Sequence, residues 1–163
     1  MDEKEQIKEE LWCEALESGY TMRYRALGGS MFPFIRHGNI LTVKPDRKLH
    51  VGDVILYRNN KKLIAHRLIK KMSLQSIPYL ITKGDNLKHT DSPVSFSELL
   101  GKIKIIENGE KVIQMDSFWM RVINYAIGII SPILLPEIVY ILRKIRKFNI
   151  GHKNAIRRYR SNI

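Results

Sequence analysis

The sequence lacks the residues from which disulfide scaffolds and metal centres are built. Its single cysteine, Cys13, excludes an internal disulfide and is expected to serve ordinary packing. The five histidines are scattered, without cysteine partners and without helical ligand spacing, so we expect no metal site. The opening residues, MDEKEQIKEE, are too polar to contain the apolar region of a secretory signal.

Acidic residues are also scarce, because 28 Lys and Arg oppose only 16 Asp and Glu and give a formal charge of +12. No acidic residue follows Glu137, whereas eight cationic ones do: Arg143, Lys144, Arg146, Lys147, Lys153, Arg157, Arg158 and Arg160. An anionic membrane surface attracts such a cluster. Few aromatic residues are interleaved with these cations, so we do not expect a nucleic acid partner.

The segment 122–142, VINYAIGIISPILLPEIVYIL, contains one ionisable residue, Glu137. As a continuous helix it would be about 30 Å long, just enough to cross a bilayer. Pro132 and Pro136 argue against a straight helix, which favours an interfacial or re-entrant arrangement. A buried helix followed by a solvated tail is the alternative. We predict a membrane-associated protein and leave open whether the segment spans the bilayer, and on which side the rest lies.

The remaining sequence indicates a β protein with a helix at its start. Residues 2–18 predict a short amphipathic helix, with Ile7, Leu11 and Ala15 on one face. Six short segments rich in β-branched residues follow: NILTVKP, DVILYR, KLIAHRLI, YLITK, GKIKII and KVIQM. Asn59-Asn60 and Asn108-Gly109 predict hairpin turns between consecutive strands.

No helix-period segment separates these strands, so parallel crossover units are not expected. The predicted fold class is therefore mainly β, a compact antiparallel domain with a short N-terminal helix and an apolar, basic C-terminal helical segment. We divide the chain into a helix and lead-in at 1–26, a β domain at 27–116, and a membrane-associating segment with a basic tail at 117–163.

Three short stretches contain residues that could act together in nucleophilic catalysis. Ser30 follows Gly28 and Gly29, and a serine hydroxyl attacks carbonyls well only when a base takes its proton. His66, in KLIAHRLI, could be that base, and one carboxylate of YLITKGDNLKHTDSPV could orient the imidazole. Each residue alone also fits a structural role: a tight turn, a core histidine, or a turn-capping aspartate.

Together, these stretches resemble the signal peptidase I family. GGSMFPFIRHGN resembles its serine box, and IAHRLI its base-bearing strand, with histidine as in the archaeal and endoplasmic-reticulum type. ITKGDN…DSP resembles the third box. The related bacterial enzymes and LexA-like repressors have lysine as the base. The resemblance covers about 27–106 and implies Ser30 as nucleophile, His66 as base, Asp91 as orienting carboxylate and Asp85 as an auxiliary residue.

The same resemblance implies further features of the site and of its substrates. It implies a β fold that cleaves precursor proteins after small residues of a signal or leader peptide, without a metal or organic cofactor. Gly28 stands where many bacterial members have a serine that lends its hydroxyl to the oxyanion hole, so the backbone amide of Ser30 is the best donor here. Gly28 and Gly29 would let an extended peptide approach Ser30.

Three alternatives to an export-type signal peptidase follow from the same residues. A LexA-like self-cleaving regulator would need a DNA-binding domain and a scissile segment, for which the 26 residues before Leu27 offer little room. A non-catalytic membrane-binding module would use Ser30 only in a turn. A cytoplasmic peptidase could remove the leader of a ribosomally made peptide at the inner membrane surface.

Overall fold

The computed structural model describes residues 3–60, 62–109 and 111–130. Within these ranges, eight antiparallel strands form one sheet with two α-helices and one short 3₁₀ helix, Phe96–Glu98, which confirms the predicted fold class. The elements in chain order are α1 Glu3–Glu17, β1 Met22–Arg25, β2 Ile40–Lys44, β3 Val54–Asn59, β4 Lys62–Leu74, β5 Ile77–Lys83, β6 Val94–Ser95, β7 Leu99–Asn108, β8 Lys111–Gln114 and α2 Phe118–Ile130.

The strands follow the order β1-β2-β7-β3-β4-β5-β6, and β8 pairs with the end of β7. β7 therefore pairs with three strands and lies at the centre of the sheet. β4 is the longest strand, because its first part pairs with β3 and its second part with β5. This arrangement brings residues from the middle of β4 next to the loops that follow β1 and β5.

Side chains of β3 are buried on both faces of the sheet. Val54 and Leu56 join one apolar cluster, while Ile55 and Tyr57 join the other, as the alternation of side chains along a strand requires. The first cluster also contains Cys13, which is buried as expected. The sheet is thus held from two sides, which fixes the positions of the loops at its edges.

The N-terminal helix forms where it is predicted, but its predicted apolar face is wrong. Ile7 and Leu11 are exposed, whereas Cys13 and Leu16 are buried against the sheet. Residues three apart lie on the same face of a helix. The face that contacts the core is the one with Cys13 and Leu16, and not the one with Ile7 and Leu11. The sequence analysis also gave no strand before residue 27, yet β1 pairs with β2 over its whole length.

Both predicted hairpins occur, and each turn begins one residue later than predicted. Asn59 still pairs with Lys62, and Asn108 with Lys111. Asn60 has φ 47° and Gly109 has φ 61°, left-handed conformations that asparagine and glycine adopt more readily than other residues. β3 and β7 therefore each extend one residue further than predicted, to Asn59 and Asn108.

Candidate active site

The loop that contains Ser30 begins where β1 ends and closes on itself at its base. Gly38 donates its amide hydrogen to the carbonyl of Ala26 at 2.8 Å, and Ala26 donates to the carbonyl of Asn39 at 2.8 Å. Inside the loop, Met31 and Ile35 are buried and join the first core cluster. These contacts fix both ends of the loop to the sheet, so that Ser30 is held while Gly28 and Gly29 remain exposed.

The side chains of Ser30, His66 and Asp91 form one chain of hydrogen bonds. The Ser30 Oγ lies 3.0 Å from Nε2 of His66, and Nδ1 of His66 lies 2.7 Å from Oδ2 of Asp91. His66 is 6% exposed, on the part of β4 that pairs with β3. The imidazole therefore lies between a hydroxyl and a carboxylate, an order that allows it to accept a proton from the first while the second orients it.

Two hydroxyl groups also contact the carboxylate of Asp91. Thr82 Oγ1 donates to its Oδ2 at 2.6 Å, and the Tyr57 hydroxyl lies 3.1 Å from the same oxygen. Burial alone would raise the pKa of Asp91, but the hydrogen bonds from His66, Thr82 and Tyr57 and the charge of His66 outweigh burial and lower the pKa. The carboxylate is thus kept ionised beside the imidazole. Burial also raises the pKa of Tyr57, so this hydroxyl keeps its proton.

Asp85 does not contact the imidazole. Its carboxylate binds Arg67 through two parallel hydrogen bonds, from Nε at 2.8 Å and from Nη2 at 2.7 Å, and both side chains are fully buried. Of the two candidate aspartates, the one that faces His66 is therefore Asp91. Arg67 directly follows His66 on β4, so this pair lies close to the hydrogen-bonded chain without being part of it.

Asn86, in the loop after β5, binds the backbone of the serine loop. Its amide donates to the carbonyl of Ser30 at 2.7 Å, and its side-chain Nδ2 donates to the carbonyl of Gly29 at 3.0 Å. A Cβ atom on Gly84 would lie 2.8 Å from the Ser30 carbonyl oxygen, so only glycine permits this close approach. The Gly84–Asn86 turn thus positions Ser30 through its backbone, a role for Asn86 that the sequence analysis missed although the residue lies in the third box.

The two glycines before Ser30 border open space. A Cβ atom at either Gly28 or Gly29 would meet nothing within 4 Å, and Gly28 has φ 82°. The Gly28 amide donates to Nδ1 of His37 at 3.2 Å. Among the described residues, the amide of Ser30 donates no hydrogen bond, so it is available to a ligand.

A cavity of about 260 Å³ lies beside Ser30 and His66. Its walls come mainly from the serine loop, the first part of β4 and the loop after β5, and they are mostly apolar: Ala26, Gly28, Met31, Leu63, Ala65 and Leu87. Residues 62–66 pair with β3 on one side, and β5 pairs with β4 only from Arg67 onward. Over residues 62–66 the other edge of β4 therefore has no neighbouring strand within the described ranges.

The sequence analysis also addressed a metal site and a membrane segment. In the described part of the chain, no group of three or more His, Cys, Asp or Glu side chains is arranged to hold a metal ion. No helix within those ranges is both long and apolar enough to cross a bilayer. Most of the predicted membrane segment, from residue 131 on, and the whole basic tail lie outside the described residues.

Two comparisons with known proteins indicate the family to which the chain is related. The model of the family described as peptidase S24-like matches residues 2–106. The signal peptidase complex catalytic subunit SEC11 of Candida dubliniensis is 38% identical over 63 residues, which are 37% of this chain and 38% of that protein. The match thus spans well under half the length of that relative. No solved structure matches the chain.

Proposed function

Because this chain belongs to the peptidase S24-like family, we propose that it is a serine endopeptidase of the signal peptidase type, with Ser30 as nucleophile, His66 as base and Asp91 as orienting carboxylate. The proposal depends above all on the continuous hydrogen bonds of 3.0 Å and 2.7 Å that join the three side chains. The resemblance of 63 residues to SEC11, a catalytic subunit, supports it.

The proposed reaction uses the hydrogen bonds among the three side chains. His66 Nε2 takes the proton of Ser30 as Oγ attacks the carbonyl carbon of the scissile bond. The resulting oxyanion accepts a hydrogen bond from the Ser30 amide. When the carbon–nitrogen bond breaks, Nε2 returns the proton to the leaving amine, and the acyl group stays on Ser30 as an ester. Water, deprotonated by the same nitrogen, then attacks the ester and releases the acid, and the proton returns to Oγ.

The substrate is an extended segment of a precursor protein. Its main chain would pair with the open edge of β4 at residues 62–66 and face the serine loop, in the manner of an added strand. The cavity of about 260 Å³ beside the serine loop is lined mostly by apolar side chains and can accept an apolar side chain next to the cleaved bond. Signal and leader peptides with small residues at that position, of the Ala-Xaa-Ala kind, fit this requirement.

Membrane association is part of the proposal. It is supported by the eight cations after Glu137 and by the apolar residues that α2 exposes. A surface-bound peptidase would meet precursors at the bilayer. External protease added to intact cells would distinguish export processing, with an accessible catalytic domain, from cytoplasmic leader removal, with a protected one.

The test of the proposal is the Ser30→Ala variant. The purified full-length protein is incubated with a quenched peptide containing Ala-Xaa-Ala and with a mixed peptide library, and the products are read by mass spectrometry. Loss of the nucleophile should lower kcat/KM by about 10⁴-fold or more without changing the thermal unfolding midpoint. Ser73→Ala, an exposed serine on the distal part of β4, is the matched control and should cleave normally.

Cleavage by Ser30→Ala at the wild-type rate would remove Ser30 from the mechanism. A LexA-like reaction would give a different result, because the protein would then cut its own chain and spare added peptides. Mass spectrometry of the protein incubated alone detects such self-cleavage.

A further inference from the structure

Helix α2 lies beyond the residues that match the family, yet it contacts the sheet close to the candidate site. Asn124 is 4% exposed, although its neighbours Ile123 and Tyr125 are exposed. A Cβ atom on Gly52 would lie 2.3 Å from the Asn124 carbonyl oxygen, and one on Gly128 would lie 2.8 Å from Cα of Gly52. Backbone thus approaches backbone here, and the Asn124 side chain is fixed against the interior.

The Asn124 side chain binds Arg67, which is fully buried. The guanidinium donates from Nη1 to Oδ1 of Asn124 at 2.9 Å and to the carbonyl of Gly52 at 2.7 Å. Its Nε and Nη2 donate to the carboxylate of Asp85. A buried guanidinium is stable in one orientation only when its donors have partners, so Asn124 is one of three groups that determine where Arg67 lies.

The position of Arg67 determines in turn where the serine loop lies. Arg67 holds Asp85 by two hydrogen bonds, and Asp85 immediately precedes Asn86. Asn86 holds the carbonyls of Ser30 and Gly29 at 2.7 Å and 3.0 Å. Hydrogen bonds, together with the peptide link between Asp85 and Asn86, therefore connect α2 with the backbone of Ser30.

We infer that Asn124 is a positioning residue for Ser30. It touches neither substrate nor reacting atoms. It acts through Arg67, Asp85 and Asn86, which together keep the Ser30 hydroxyl within hydrogen-bonding distance of His66. The inference rests on the proposed function, since positioning matters to catalysis only if Ser30 is the nucleophile. It extends the functional unit from the matched residues 2–106 to helix α2.

The inference is tested with two variants of the full-length protein. Asn124→Leu replaces the acceptor by an apolar side chain of similar size, and Asn124→Asp keeps an acceptor oxygen in the same place whether or not it is ionised. Displacement of Ser30 should lower kcat by about 10- to 100-fold, with KM changed less than about threefold, because the cavity walls are not altered. Asn124→Asp should recover most of the lost kcat.

Hydrogen exchange provides a readout that does not depend on activity. In Asn124→Leu, amide exchange should accelerate at residues 84–87 and 28–32 as well as in α2 itself. Ile123→Ala, on the exposed face of the same helix, is the control and should change neither segment. If Asn124→Leu does not fold, Asn124→Ala, judged folded by circular dichroism, replaces it in both measurements.

Three results would overturn the inference: unchanged kcat in Asn124→Leu, exchange that accelerates in α2 but not at 84–87, or a kcat that Asn124→Asp does not recover. Ser30→Ala, measured beside these variants, separates the two proposals. Cleavage that survives Ser30→Ala overturns the proposed function. Cleavage that needs Ser30 but is unaffected by Asn124→Leu overturns the present inference alone.

Discussion

The carboxylate of Asp91 has several hydrogen-bond partners near the candidate nucleophile. One of its oxygens, Oδ2, lies within hydrogen-bonding distance of His66, Thr82 and Tyr57. Its pKa is lowered, since these hydrogen bonds outweigh the burial that would otherwise raise it. A lowered folded-state pKa contributes stability that is present above the ordinary value of 3.8 and is lost as the pH falls through the folded value. At neutral pH, therefore, Asp91 is charged and the histidine can form an imidazolium beside it.

Replacing this carboxylate should affect the chemistry more than substrate binding. Asp91→Asn is expected to lower kcat by about 10⁴-fold, because an amide neither stabilises the imidazolium nor enforces the correct tautomer. KM should change little, since Asp91 is not among the residues that line the cavity. Steady-state kinetics with the quenched peptide measure both constants.

Tyr57→Phe is the matched control for Asp91→Asn. It removes the 3.1 Å contact with Asp91 and a 3.1 Å contact with the Thr82 hydroxyl. The 2.6 Å bond from Thr82 to Asp91 remains, so kcat should stay within about tenfold of wild type. An Asp91→Asn variant with a near-normal kcat would contradict the assigned role of the carboxylate, whichever result Tyr57→Phe gives.

The residues predicted from sequence and those that were missed differ in how they depend on the fold. Ser30, His66 and Asp91 could be chosen because their residue types suit the chemistry and because their boxes resemble a known family. Thr82 and Tyr57 could not, since only the pairing of β3, β4 and β5 brings their hydroxyls to Asp91. Asn86 acts partly through its backbone amide, which every residue except proline has, so its residue type alone gives little signal.

Among the secondary-structure elements, most strands could be predicted from the sequence, but the face of α1 that packs against the sheet could not. β-branched residues mark the cores of β2, β3, β5 and β7, because such side chains fit a pleated surface. β1, with the sequence MRYR, has no such residue and forms through pairing with β2. The buried face of α1 likewise depends on which side chains meet the sheet, a choice that periodicity alone did not resolve.

The close contact between α2 and Gly52 predicts that Gly128→Ala, a glycine-to-alanine change inside a helix, destabilises the protein. An alanine normally stabilises a helix interior relative to glycine by about 1 kcal/mol. At Gly128, however, the added Cβ would lie 2.8 Å from Cα and 2.9 Å from N of Gly52, both backbone atoms. We therefore expect Gly128→Ala to lower the free energy of unfolding by about 1–3 kcal/mol, as overpacking does. Urea denaturation measures the change.

Ala126→Gly serves as the control for Gly128→Ala. Ala126 is exposed on the same helix, so this variant should lose only the difference in helix propensity, about 1 kcal/mol. Both variants are then destabilising, although they exchange the same two residues in opposite directions. A more stable Gly128→Ala would show that α2 does not pack as closely as the contact requires.

For the whole molecule, the excess of positive charge is not spread evenly. Several acidic side chains of the described domain form ion pairs within it. Asp46 and Asp116, for example, both pair with Lys104. The run of cations after Glu137 has no acidic residue within it. α2 precedes that run and exposes large apolar side chains, among them Phe118 and Trp119, the latter 74% exposed. Apolar and cationic groups next to each other in the chain are the combination that binds an anionic bilayer surface.

The full-length protein should therefore float with vesicles that contain phosphatidylglycerol and stay behind with pure phosphatidylcholine. Binding should weaken as salt rises from about 0.1 M to 1 M, since the Debye length falls from about 10 Å to 3 Å.

Trp119→Ser should reduce flotation by removing apolar area from the proposed bilayer contact. Leu11→Ser, which removes a comparably exposed apolar side chain from α1, should not. A protein that remains unbound by phosphatidylglycerol vesicles at low salt would refute the membrane proposal. It would leave the peptidase proposal intact, because that proposal depends on the hydrogen bonds among Ser30, His66 and Asp91 and not on vesicle binding.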